Sequence, residues 1–163
     1  MSDAPPVRRV VTDHNTDGRA IIKSDDSFPV VEIPSGDAAF CLVWTTETVP
    51  ADNNDETDGR AREAGLTLNA GSVIRIVDML PGRASPMHRT NSIDYGIVLS
   101  GEIELEVDNG AKTVIGAGGI IIQRGTNHLW RNSSDHVPCR IAFVLIEAPA
   151  YIHDGEPLPE HKP

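Results

Sequence analysis

Cysteine, aromatic residues, basic charge and long apolar runs are all scarce in this 163-residue chain. Cysteine occurs twice, at Cys41 and Cys139, with no CxxC spacing, which excludes a disulfide framework and a paired-thiol redox motif. Each sits beside apolar residues in a strand-like run, so both are expected to be small buried hydrophobes. Aromatic residues make up 4% of the chain against 39% hydrophobic overall, so the core must be mostly aliphatic. Lys and Arg total 14 against 24 Asp and Glu, a net charge of −10. A chain this acidic repels phosphate backbones and anionic lipid, so neither nucleic acid nor a membrane surface is an expected partner. No apolar run approaches the roughly 20 residues of a membrane span. The start, MSDAPPVRRVV, lacks the apolar stretch of a secretory signal, so the cytoplasm is the expected location. Also missing are a G-x-S-x-G elbow, a P-loop and a G-x-G-x-x-G turn.

What remains is a dense run of short strands. The length fits one domain, 1–163. Residues 1–9 read as a loose tail, and 10–31 hold short apolar pieces around the turn HNTDG. AFCLVW at 39–44 is rich in strand formers. From about residue 70, SVIRIVDML, DYGIVLS, EIELEVD, KTVIG, GIIIQ, HLWRN and CRIAFVLIEA follow in close order. EIELEV alternates strictly, placing Ile103, Leu105 and Val107 on one face. Asn109-Gly110 is the best hairpin turn in the chain. Regular spacing of this kind predicts an all-β sandwich or barrel. Residues 50–65 are polar and acidic and read as a long loop, either lid-like or simply solvated; AREAG at 61–65 could form one helical turn. The segment after Ala148, rich in Pro, Glu and His, is expected to wrap the surface.

Two segments carry chemistry. In PGRASPMHRTNSIDYGIVLSGE, His88 and Thr90 are two apart and share a strand face, as do Asp94, Gly96 and Val98. In QRGTNHLWRN, His128, Trp130 and Asn132 share another. If these faces point into one barrel, His88, His128 and Asp94 can meet there. Two imidazoles and a carboxylate have the composition of a facial triad for a divalent metal. A buried histidine that merely packs is the competing reading, and Asp94 could instead bond a backbone N–H or Arg89. Arg75 and Arg140 could anchor a substrate carboxylate if they face inward, which strand parity leaves open. His14, His136, His153 and His161 lie in polar turns or tails and are expected to be solvated.

Here the chain resembles the cupin superfamily. Gly82, RASPM, His88-Arg89-Thr90, NSI, Asp94, YGIVLS and Gly101 reproduce the spacing of the first cupin motif, with Thr90 in place of its second histidine and Asp94 in place of its glutamate. Gln123-Arg124-Gly125, TN, His128, LWR and Asn132 reproduce the second, with Gln123 in place of proline. The resemblance covers about 70–147 and extends to a His-Arg-Thr subgroup found beside polyketide and aromatic pathways. It implies a double-stranded β-helix and a small-molecule pocket. It also implies His88, Asp94 and His128 as catalytic and metal-binding residues, and Thr90, Tyr95, Trp130 and Asn132 as pocket residues. A divalent metal (Fe, Mn, Zn or Ni) is the implied cofactor, though the changed ligands also fit a metal-free pocket. A homodimer paired through edge strands is the implied assembly. The implied function is a metal-assisted lyase of dehydratase or decarboxylase type. A non-catalytic binding protein with a degenerate metal site and a metal-dependent dioxygenase are the alternatives.

Overall fold

The computed structural model describes residues 4–65 and 70–162. Its strands, in chain order, are β1 (Val7–His14), β2 (Ala20–Phe28), β3 (Val31–Glu32), β4 (Ala38–Thr46), β5 (Ser72–Met79), β6 (Ser92–Ser100) and β7 (Glu102–Val107). They continue with β8 (Lys112–Gly116), β9 (Ile120–Arg124), β10 (His128–Arg131), β11 (Cys139–Glu147), β12 (Ile152–His153) and β13 (Glu156–Pro157). One six-stranded sheet has the order β3-β4-β5-β11-β6-β9, and a three-stranded sheet has the order β10-β7-β8. Every pairing is antiparallel. No helix among the described residues is long and apolar enough to cross a membrane.

The main core lies between these two sheets. Val77, Val98, Ile141, Phe143 and Leu145 come from the larger, Ile103 and Trp130 from the smaller. The alternation in EIELEV does what its pattern predicts: Ile103 is buried and Leu105 packs on the same core. A second cluster, around Ala39, Cys41, Ile76 and Ala142, lies on the other face of the larger sheet. Val7 of β1 and Phe28 of β2 pack against it. This explains why β5 and β11 are apolar on both faces. The β1–β2 hairpin and the turn at 15–18 match the HNTDG signal.

Two expectations fail locally. Residues 1–9 are not all a loose tail: β1 begins at Val7 and Arg9 is buried, pairing with Asp58 at 2.7 Å. The first three residues lie outside the described ones. The helical turn falls at Gly59–Ala61 rather than 61–65, because the Asp58 carboxylate caps the Arg60 N–H there.

The motif glycines have a backbone reason. Gly82 (φ 66°) and Gly101 (φ 76°) both take the left-handed conformation that side chains disfavour. At Gly101 a Cβ would also lie 2.8 Å from the Pro138 carbonyl oxygen. The spacing between them fixes where β6 begins and ends, and thereby where Asp94 points.

Candidate functional site in the barrel cavity

His88 and His128 form a backbone pair that exchanges both hydrogen bonds, His88 N to His128 O and His128 N to His88 O, each 2.9 Å. Residues paired this way in an antiparallel ladder project side chains to the same face. Their rings accordingly stack at 4.2 Å between centroids, tilted by 51°. Trp130, two residues on, meets His128 edge-on at 5.5 Å and Phe143 at 5.4 Å.

Each ring is held through Nδ1. His88 Nδ1 lies 2.9 Å from the Pro86 carbonyl oxygen, and His128 Nδ1 lies 2.9 Å from that of Thr126. A carbonyl only accepts, so both Nδ1 atoms carry the proton and, in the neutral ring, Nε2 carries the lone pair. Burial, and then the neighbouring His88 ring, push the His128 pKa down to about 4. His128 is therefore neutral at ordinary pH. Protonating both rings would put two cations 4.2 Å apart.

From the larger sheet, β6 contributes Asp94, which is buried. Ser92 Oγ donates to its carboxylate at 2.6 Å and lies 2.9 Å from the Thr90 hydroxyl, a chain of three side chains along one face. Burial raises the Asp94 pKa to about 6, against the Ser92 hydrogen bond and the charge of Arg75. Arg75 of β5 lies beside the same space. Its guanidinium sits 5.6 Å from the Phe40 ring centroid and donates to the Gly65 carbonyl. Burial pulls its pKa below the usual guanidinium value, opposed by Asp94.

These groups share a cavity of about 270 Å³, walled mainly by Ile33, Phe40, Val77, Trp130, Phe143 and Leu145. Gly96 makes it possible: a Cβ there would lie 2.8 Å from the Phe143 ring. A larger cavity of about 460 Å³ lies elsewhere, between β1, β2 and residues 51–58. It is rimmed by carboxylates and contains neither histidine of the motifs, so the barrel cavity is the better candidate despite its size.

The expected residues divide as follows. His88, Thr90, Asp94, His128 and Trp130 line the barrel cavity. Tyr95 does not: neighbouring residues of a strand face opposite ways, so it projects to the outer face, 40% exposed. Asn132 is buried but serves as a bracket, donating to the Met79 and Val137 carbonyls at 2.9 Å and accepting from Ser134 N at 3.0 Å. Arg89 is not an ion-pair partner of Asp94; it donates to the Pro159 carbonyl at 3.3 Å. Arg140 is committed to Asp78 on the outer face, at 2.7 Å. His161 is exposed as expected, and its backbone pairs with Arg89. Residues 51–53, 55–58 and 62 of the 50–65 loop line the other cavity, and at its end the Gly65 carbonyl accepts from Arg75.

The three-ligand metal set does not assemble. Among the described residues no three His, Cys, Asp or Glu side chains are placed to hold one ion. Aspartate ends one methylene sooner than glutamate, and Ser92 holds this one along β6. Thr90, where the cupin motif has an imidazole, bonds Ser92 instead. The two Nε2 lone pairs are available as donors, but the residues present do not make a closed site of protein ligands.

The Cupin_2 family, described as a cupin domain, matches residues 75–146. "Phomopsin biosynthesis cluster protein C'" of Diaporthe leptostromiformis is 40% identical over 165 residues, covering 94% of this chain and 87% of that protein. "Cupin-domain-containing oxidoreductase virC" of Hypocrea virens is 33% identical, covering 93% and 83%. Among solved structures, the Cnp3 cupin domain of Schizosaccharomyces pombe superimposes with a TM-score of 0.53 at 12% identity, covering 88% of each chain, a likeness of fold alone. With both motifs in place on a double-stranded β-helix, the chain belongs to the cupin superfamily, alongside cupin-domain proteins of biosynthesis clusters.

Proposed function

We propose that the chain is an enzyme that binds a small oxygenated organic molecule in the barrel cavity and eliminates water or carbon dioxide from it. One observation carries this reading: two imidazoles with their Nδ1 protons fixed share an apolar cavity with a buried carboxylate from the other sheet. Burial displaces the two pKa values in opposite directions, so that the carboxyl group keeps its proton to higher pH than the His128 ring does, the arrangement an acid–base pair needs. Near pH 6 the His128 ring is a free base while about half of the Asp94 carboxyl groups still hold a proton. In a dehydration, an imidazole Nε2 takes a proton from the carbon beside a carbonyl. The carboxyl group protonates the departing hydroxyl, and the electron pair of the C–H bond becomes the new double bond. Apolar walls strengthen both interactions by excluding water.

The oxidoreductase names of several relatives favour a second reading, a redox reaction in the same cavity. Mass analysis of an extract from cells lacking the gene, incubated with the purified protein, separates the two. Loss of water or carbon dioxide from a consumed compound supports elimination. Loss of two hydrogens, or gain of oxygen, supports the redox reading and ends the first. No consumed compound at all leaves only a binding protein.

The proposal includes a homodimer. Its support is the outer strip of Tyr95, Leu99, Ile120 and Ile122 beside the free edge of β9. Light scattering that finds only monomer at micromolar concentration removes it.

A further inference from the structure

We infer that the cavity is built for a ligand that donates hydrogen bonds, a phenol or enol with a one-ring body, and that His88 and His128 receive its hydroxyl through Nε2. The inference rests on the reading of the cavity as a small-molecule site and adds the class of ligand.

The two imidazoles share one tautomer and one posture. Each turns Nδ1 back to the carbonyl two residues before it, Pro86 for His88 and Thr126 for His128, at 2.9 Å in both cases. Nε2, with its lone pair, is left at the end of each ring away from its own backbone. Neither Nε2 is bonded to another described residue. The rings lie 4.2 Å apart and both line the cavity, and His128 is only 2% exposed. A buried acceptor with no donor is costly until a water or a ligand meets it.

Among the described residues, every hydroxyl that lines the cavity already directs its proton elsewhere. Ser35 donates to the Asp37 carboxylate. Ser85 donates to the Pro86 carbonyl at 3.2 Å and accepts from Trp130 N at 3.0 Å. Ser92 donates to the ionised Asp94 at 2.6 Å, so in the 2.9 Å contact between Thr90 and Ser92 it is Thr90 that donates. Thr90 therefore turns only lone pairs to the cavity. A ligand that carries acceptors alone, such as an ether, sets lone pair against lone pair here. A phenolic or enolic O–H, more acidic than that of an alcohol, is the stronger donor to an imidazole nitrogen.

The walls fit an aromatic body. Trp130 stands edge-on to His128 at 5.5 Å and 5.4 Å from Phe143, and Phe40 lines the same space. A cavity of about 270 Å³ admits one ring with short substituents, not a polycyclic molecule.

The probes are phenol, anisole, which keeps the oxygen but not its proton, and fluorobenzene, which has neither hydroxyl nor methyl group. Calorimetry at mildly alkaline pH, with a chelator present so that no metal occupies the Nε2 atoms, gives the affinities. Proton–nitrogen spectra of the ¹⁵N-histidine-labelled protein show which ring nitrogens carry a proton. Phenol is expected to bind about tenfold or more tightly than anisole and fluorobenzene. It should move the Nε2 resonances of His88 and His128 upfield while both Nδ1 atoms stay protonated. His128→Phe keeps a ring, removes one acceptor and reduces the preference to about threefold or less. Equal binding of phenol and the two controls, a proton on either Nε2 in the free protein, a preference that survives both His128→Phe and His88→Phe, or no phenol binding overturns the inference. If the variants do not fold, the phenol-to-anisole ratio and the spectra of the unaltered protein decide. Because binding is measured without turnover, the two ideas fail separately. A phenol held on Nε2 while no compound in the extract is consumed refutes the enzyme. Consumption of a compound without a hydroxyl, with no preference for phenol, refutes the donor inference.

Discussion

Replacing Asp94 with Asn tilts the pH dependence of stability one way, and replacing His128 with Gln tilts it the other. The Asp94 carboxyl group has a folded pKa of about 6 against 3.8 for a solvated aspartate. Between those values the native state holds a proton that the unfolded chain has lost. Its contribution is fully present below pH 3.8 and is lost as pH rises through about 6. His128 runs in the opposite sense, with a folded pKa of about 4 against 6.5. There the unfolded chain binds the extra proton. The contribution of the neutral ring is fully present above pH 6.5 and is lost as pH falls through about 4. Each displacement corresponds to about 3 kcal/mol, at about 1.4 kcal/mol per pH unit.

In the unaltered protein the two slopes oppose each other between about pH 4 and pH 6 and largely cancel. Each variant uncovers the other group's slope. Asn keeps the oxygen that accepts from Ser92, so the stability of Asp94→Asn relative to the parent rises by about 3 kcal/mol as pH goes from acid to neutral. For His128→Gln the same difference falls by about 3 kcal/mol. Urea unfolding followed by circular dichroism at pH 4, 5, 6 and 7 measures both. Differences of the same sign, or a change below about 1 kcal/mol in either, refute the burial argument for this site.

Other perturbations test the surrounding structure. Thr90→His supplies the imidazole that the motif position lacks; elemental analysis should find about one equivalent of bound nickel or ferrous iron after reconstitution, and no gain means that a third imidazole does not complete the ligand set. Asn132→Ala leaves the buried Met79 and Val137 carbonyls without their amide donor and should cost about 3 kcal/mol in urea unfolding; a loss under about 1 kcal/mol counts against the bracket. Gly96→Ala forces the Phe143 ring aside and should cost about 1–3 kcal/mol in urea unfolding; an unchanged stability shows that the ring gives way freely.

The barrel strands were legible because turn residues and period-two patterns bracket them; β5 to β11 fall within two residues of the runs read from the sequence. The meeting of His88 and His128 was legible from motif spacing alone. Tyr95 and Asn132 were misassigned for different reasons. For Tyr95, the resemblance implied a pocket residue, whereas strand parity places it opposite the inward-facing Asp94. For Asn132 the parity was right, and the residue is buried at the end of its strand, where backbone carbonyls are what it meets. Arg75 could not be placed because β5 carries apolar residues on both faces, so periodicity does not say which face holds the cavity. The 50–65 loop is mostly exposed, as its acidic composition suggested, but its half-exposed Asp58 pairs with the buried Arg9 of β1, a contact that no local pattern reveals.

The changed motif positions are better read together than singly. A threonine at position 90 is too short to reach an ion beside two imidazoles, but its length suits Ser92, and Ser92 in turn reaches Asp94. A glutamate at position 94 would carry its carboxylate one methylene farther from Ser92. The two departures thus support one another: each lets the other enter a hydrogen-bonded chain along β6 in place of a ligand set. The glycine positions and the His88–His128 pair belong to the backbone and persist whatever the side chains between them do. Motif spacing therefore reports the barrel, whereas the residues at 90, 92 and 94 set the hydrogen bonding inside it.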